Sequence, residues 1–197
     1  MGYIYCLIGK SGTGKDTVME QILADKKLDI EKIVPYTTRP KRENEIDGVN
    51  YHYVSETEML QMEENNLIVE KRSYNTVHGV WNYFTADNDI DYDRDYIIIT
   101  TQEAIEKFIS HFGMEKIYIV YLFLDDKTRL ERCINRESMQ QTPNYKEVCR
   151  RFLGDEEGFD EAKLKSFDNC IFVDTLPPTE ECVTHIKNVI QKNRGDR

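Results

Sequence analysis

Residues 3–17 read Tyr-Ile-Tyr-Cys-Leu-Ile-Gly-Lys-Ser-Gly-Thr-Gly-Lys-Asp-Thr, and this stretch decides the fold. Residues 3–8 form an apolar run of β-branched and aromatic side chains, the pattern of a buried strand. Gly9, Gly14 and Lys15 fit the spacing G-x-x-x-x-G-K, and Val18, Ile22 and Leu23 then recur at helical spacing. A glycine-rich turn between strand and helix points several N–H groups at one anion, and the helix N-terminus adds partial positive charge. The reading is a phosphate loop made of Gly9, Lys10, Ser11, Gly12, Thr13, Gly14, Lys15, Asp16 and Thr17, with Lys15 reaching the β- and γ-phosphates of ATP. The motif ordinarily presents a Ser or Thr hydroxyl to Mg²⁺ just after the lysine. Here Asp16 stands there, so either Thr17 takes over or Asp16 holds the metal, directly or through water.

Working outward, strands are expected over residues 32–36, 51–54, 67–74, 95–99, 117–124 and 167–173. Helices are expected over 15–25, after Ser55 and Glu58 (a capping-box pair), after the strands at 95–99 and 117–124, and over 179–191. Thr142 and Pro143 read as the opening of a long helix running to about Ala162. Alternating strands and helices indicate an α/β fold of three layers with a mainly parallel central sheet. Residues 36–89 break the rhythm and read as an inserted, separately moving small-strand region; residues 135–155, helical and rich in Arg, read as a lid. The core of this single domain then comprises about 1–35, 90–134 and 156–197.

The 197 residues carry 26 Lys plus Arg against 36 Asp plus Glu, a formal net charge of −10. That balance argues against a sequence-independent nucleic-acid binder, which needs a basic face to displace counterions. Phosphate chemistry must therefore rest on local clusters of cations. Cys6, Cys133, Cys149, Cys170 and Cys182 are odd in number and lack C-x-x-C spacing, which suits a reducing compartment rather than a disulfide framework or zinc site. No apolar run approaches a membrane span, and the first residues enter a strand rather than a signal peptide. The expectation is a cytoplasmic protein with no membrane or nucleic-acid partner.

A second cluster follows at Thr37-Thr38-Arg39-Pro40-Lys41-Arg42, with Glu45, Gly48 and Tyr51 beyond it. Two arginines three apart on a loop can offer forked donors to one phosphate, and Tyr51 adds a phenol donor. This arrangement, T-T-R-x-x-R-x-x-E-x-x-G-x-x-Y downstream of a phosphate loop, resembles the guanylate kinase family. The resemblance runs over nearly the whole chain, through Glu70 after residues 67–69, His78-Gly79, an Arg-bearing lid and the closing FDNCIFVD at 167–174. It implies a kinase using Mg²⁺ and ATP to phosphorylate GMP. By resemblance Arg39, Arg42 and Tyr51 hold the monophosphate, Glu45 orients the arginines, and His78 and Gly79 complete the GMP side. Glu70 is then the guanine reader: a carboxylate offers two acceptors to the adjacent N1–H and N2–H₂ donors of guanine, a pair adenine lacks. Arg129, Arg132 and Arg136 fall at i, i+3, i+7 on one helix, with Arg150 and Arg151 on the next. The resemblance assigns Arg132, Arg136 and one of Arg150 and Arg151 to charge stabilisation during transfer, with Lys15. Arg129 is instead open to ion pairing with Glu131 or Glu147.

Four departures stand out. Pro35 and Val80 replace hydroxyl residues, His78 replaces a tyrosine, and the strand at 95–101 lacks its usual terminal acid. Asp125-Asp126 and Asp174 could replace that acid but read better as helix caps or strand ends. The departures keep two alternatives open: a kinase of the same fold acting on another phosphorylated small molecule such as a ribose bisphosphate, and a non-catalytic guanylate-kinase-like binding module.

Overall fold

A computed structural model describes residues 2–43, 45–76 and 79–195. In chain order the elements are β1 (Ile4–Ile8), α1 (Lys15–Ala24), β2 (Ile30–Lys32), β3 (Tyr36–Thr37), β4 (His52–Tyr53), α2 (Glu56–Glu64), β5 (Ile68–Thr76), β6 (Gly79–Ala86) and β7 (Asp95–Ile99). They continue with α3 (Gln102–Phe112), β8 (Ile117–Phe123), α4 (Asp126–Ser138), α5 (Tyr145–Gly158), α6 (Glu161–Lys165), β9 (Cys170–Asp174) and α7 (Thr179–Gly195). Five strands form a parallel sheet in the order β2-β7-β1-β8-β9. The fold is α/β with the parallel central sheet that the alternation of elements implies.

Strand β1 shows how the layers arise. Successive side chains of a strand point to opposite faces, and a strand covered on both faces is apolar throughout. Ile4, Cys6 and Ile8 accordingly join Phe108, Ile119 and Leu164 on one side of the sheet, with α3 and α6. Tyr5 and Leu7 join Val18, Ile22, Val183 and Ile186 on the other, with α1 and α7. Because β1 lies between β7 and β8, its carboxyl end opens at the point where the chain switches direction across the sheet, the usual ligand crevice of such folds. The phosphate loop leaves the sheet there.

A second sheet, β4-β3-β6-β5, packs Tyr36, Met59, Phe84 and Ala86 into a small core of its own. The expected strand at 32–36 is two short strands in different sheets. Ile33 still donates to the Ile97 carbonyl, but β2 ends at Lys32 and β3 begins at Tyr36 after Pro35, which has no N–H for a ladder. The expected helix from Pro143 to Ala162 is also two elements. Asn144 caps α5 by accepting from the Glu147 N–H, and Asp160 caps α6 by accepting from the Lys163 N–H. Pro143 thus precedes the helix, and a new cap interrupts it. The capping box at Ser55 and Glu58 is present with both of its hydrogen bonds.

Candidate active site

Gly9 to Thr17 wrap the start of α1. Gly12 and Gly14 both have φ of 88°, and a Cβ on Gly12 would stand 2.6 Å from the Arg129 carbonyl oxygen. Only glycine therefore lets the loop turn and pass α4 at that point. Lys15 Nζ donates to the carbonyls of Gly9 at 2.6 Å and Lys10 at 3.1 Å, curling its ammonium over the loop. Burial lowers the Lys15 pKa, opposed by the charges of Asp155 and Asp16 and reinforced by Arg136. Asp16 and Thr17 are exposed in the first turn of α1 and line one hollow with Lys15 and Arg136. Asp125 and Asp174 spend their carboxylates locally, on the N–H of Thr128 and of Leu176.

The second cluster is locked from within. The Arg39 guanidinium is buried and forked onto Glu45, with Nη2–Oε1 at 2.7 Å and Nη1–Oε2 at 2.9 Å. Its Nη1 also donates to the Pro40 carbonyl and its Nε to the Tyr83 hydroxyl, while the rings of Tyr51 and Tyr53 lie 5.7 and 5.8 Å from its charge centre. Glu45 further accepts from the Arg42 N–H at 2.8 Å, and the Arg42 side chain is exposed. Glu45 thereby fixes both arginines, one by its side chain and one by its backbone. Hydrogen bonding to Arg39 holds the Glu45 carboxyl down to about 2. A depressed carboxylate stabilises the fold above its ordinary value and stops doing so as pH falls through the native one. Glu45 is therefore expected to contribute undiminished stability at neutral pH and to lose it only between about 4.5 and 2, a component of the acid melting curve that Glu45→Gln removes.

Arg39→Lys is expected to damage monophosphate affinity nearly as much as Arg39→Ala, by about 10-fold or more, because lysine cannot hold the Glu45 fork and the Tyr83 hydroxyl together. Recovery of wild-type affinity in the lysine variant would show that charge alone suffices.

Glu70 sits on β5, with its side chain 3% exposed. It accepts from Thr85 Oγ1 at 3.0 Å and from Arg72 Nε at 3.1 Å and Nη2 at 3.3 Å. Thr85 and Arg72 both line a cleft of about 710 Å³ that also takes in Gly9, Lys15, Tyr51 and Arg150. At the sheet end of this cleft Thr100 and Thr101 present hydroxyls that are buried and without a hydrogen-bond partner among the described residues. They stand where the strand lacks a carboxylate. Gly79 begins β6, and His78 lies outside the described residues.

The arginines of α4 and α5 separate into three kinds. Arg129 is only 1% exposed and holds the fold together. It donates to Asp126 at 2.7 Å, Glu156 at 2.6 Å and the Ser11 carbonyl at 3.2 Å, and lies 4.6 Å from the Phe152 ring centre. Neither Glu131 nor Glu147 is its partner. Arg132 and Arg136 line a hollow of about 290 Å³ with Gly12 and Gly14, and Arg132 donates to the Thr175 carbonyl. Arg150 and Arg151 line the large cleft from above, both tied to Glu147 at 2.7 to 2.8 Å, so neither is singled out. Asp155 and Glu156, at the far end of α5, grip the phosphate loop through the Ser11 N–H and the Lys10 ammonium. Arg72, Tyr83, Thr85 and Asp155 are among the cleft residues that sequence reasoning missed; alternation along β5 places Arg72 beside Glu70, the one signal that could have found it.

A parallel sheet with a glycine loop at its switch point, facing a cation-rich cleft, defines a phosphate-loop protein. The guanylate kinase family model matches residues 1–193, and the chain belongs to the guanylate kinase family. Guanylate kinases of Mesomycoplasma hyopneumoniae strain J and Caldanaerobacter subterraneus subsp. tengcongensis are 28% and 27% identical, over 98% and 100% of this chain and 95% and 91% of theirs. That of Bartonella henselae is 33% identical over a shorter stretch, 48% of this chain and 45% of its own. Among solved structures, guanylate kinase from Anaplasma phagocytophilum superposes with a TM-score of 0.61 at 22% identity, over 97% of this chain and 85% of that one.

Proposed function

We propose that this protein transfers the γ-phosphoryl group of ATP to GMP, giving ADP and GDP. The observation that carries the reading is the single cleft in which Gly9 and Lys15 of the phosphate loop face Tyr51 of the monophosphate cluster, beneath Arg150 and Arg151. ATP phosphates lie along Gly9 to Thr17, and the hollow beside Arg132 and Thr175 takes the donor base. GMP lies across Arg39, Arg42, Tyr51 and Glu70. Lys15 draws charge from the β- and γ-oxygens. Arg136 and the α5 arginines add positive charge around the group in flight and exclude water, and alignment supplies much of the acceleration. The acceptor phosphate is already anionic, so no side-chain base is required.

Asp16 and Thr17 offer hard oxygens beside the phosphate loop, a donor set suited to Mg²⁺ with phosphate and water completing the shell. When bound, the metal neutralises charge on the β- and γ-phosphates. Asp16→Ser restores the usual motif. It is expected to change the free Mg²⁺ concentration for half-maximal rate with nucleotide saturating; a helix-dipole role for Asp16 would change only the melting temperature. The five cysteines are all free, which supports placement in the reducing cytoplasm.

ADP formation measured with GMP, AMP and a ribose bisphosphate as acceptors tests the function. GMP is expected to give the highest kcat/KM. Preference for the sugar bisphosphate would favour the same-fold alternative, and absence of transfer to every acceptor would favour a binding module.

A further inference from the structure

Glu70 is not a free carboxylate facing the cleft. Its Oε1 already accepts from Thr85 and Arg72, and its Oε2 from Arg72. With two acceptor positions per oxygen, about one remains in good geometry for a ligand. The group that faces the cleft at this point is the Arg72 guanidinium, 26% exposed against 3% for Glu70. Nε and one Nη2 proton are spent on Glu70; Nη1 makes no hydrogen bond among the described residues. The pair thus sets one acceptor beside a fixed fork of donors.

That polarity matches one edge of a purine. Guanine presents the O6 acceptor next to the N1–H donor, whereas adenine presents the reverse, an N6 donor next to the N1 acceptor. A carboxylate can answer N1–H but repels O6, so another group must donate to O6. Pro35 has no N–H to offer, and the Thr85 hydroxyl is committed to Glu70. Arginine is well suited to this contact, since its guanidinium is always charged and commonly pairs with the O6 and N7 acceptors of guanine.

We propose that Arg72 is a specificity-determining residue, donating to the 6-oxo group of the acceptor purine while Glu70 accepts from N1–H. The pair reads a 6-oxopurine through O6 and N1, with the 2-amino group in a lesser part. This inference rests on the GMP-kinase reading and refines the role of Glu70 within it.

Affinities of the full chain for GMP, 6-thio-GMP and IMP, measured by calorimetry, provide the test. 6-Thio-GMP keeps both donors of guanine and exchanges O6 for a weakly accepting sulfur. Wild type is expected to bind GMP about 10-fold or more tightly than 6-thio-GMP, and IMP within a few-fold of GMP. Arg72→Ala is expected to weaken GMP by about 10-fold while leaving 6-thio-GMP nearly unchanged, collapsing the ratio between them; Arg72→Lys should restore part of it. Each ratio is taken within one variant, so a general loss of stability cancels. Equal weakening of both ligands by Arg72→Ala would overturn the assignment, as would IMP binding far more weakly than GMP to wild type. Wild-type protein that binds no GMP would overturn the underlying reading, an outcome recognised before any substitution is made.

Discussion

Replacing Lys15 with alanine is expected to reduce phosphoryl transfer by about 10²–10³-fold or more, the scale lost when a preorganised charge or donor is removed from a transition state. The fold should survive. Among the described residues Lys15 Nζ bonds only to the loop carbonyls of Gly9 and Lys10, and burial already disfavours its charge, so its removal relieves desolvation as well as losing hydrogen bonds. Single-turnover transfer and a thermal melt on the same preparation check both halves. A fully active variant would sink the phosphate-loop reading. A melting temperature lowered by more than about 6 °C would show that the lysine is structural.

The second large effect falls on stability. Arg129→Ala is expected to cost about 3 kcal/mol, because it empties a fully buried site packed on Phe152 and removes the hydrogen bonds to Asp126, Glu156 and the Ser11 carbonyl at once. At this chain length that is a fall of roughly 6–12 °C in melting temperature. The side chain joins Asp126, Glu156 and the Ser11 carbonyl, so nucleotide affinity should fall with it as the loop loosens. Arg150→Ala, on an exposed side chain paired within its own helix, should leave the melting temperature within about 2 °C. Equal melting temperatures for wild type and Arg129→Ala would refute the anchoring role.

Residues that act through local patterns were legible in the chain. The phosphate loop needs only neighbours in sequence, and so do the Ser55 cap and the sequence of β1. Arg129 was harder. Spacing of i, i+3, i+7 places three arginines on one helical stripe, yet Arg129 is buried while Arg132 and Arg136 are exposed. What differs is how much closes over the side chain: the Ser11 carbonyl 118 residues away, Glu156 and the Phe152 ring surround Arg129, whereas Arg132 reaches only the Thr175 carbonyl among the described residues, and helical periodicity registers none of this. Residues 32–36 read as one strand because apolar content continues through them; that the chain crosses between sheets there depends on partners near Ile97 and Phe84. Glu70 was singled out by resemblance, with a chemical rationale for a carboxylate there, but its partner Arg72 becomes informative only once β5 shows that both side chains meet.

The grip of Asp155 and Glu156 on the phosphate loop also sets the mechanics of α5. The helix is pinned at that end, and Arg150 lies five residues from Asp155, about 7.5 Å along the axis at 1.5 Å per residue. Such a short lever arm turns a 10° tilt about the pinned end into only about 1.3 Å of travel at Arg150. Rotation of the rigid helix therefore carries its arginines very little. Both side chains are held by Glu147, so contact with a phosphoryl group in the cleft would require them to leave that carboxylate, with Asp155 as the fulcrum of the helix.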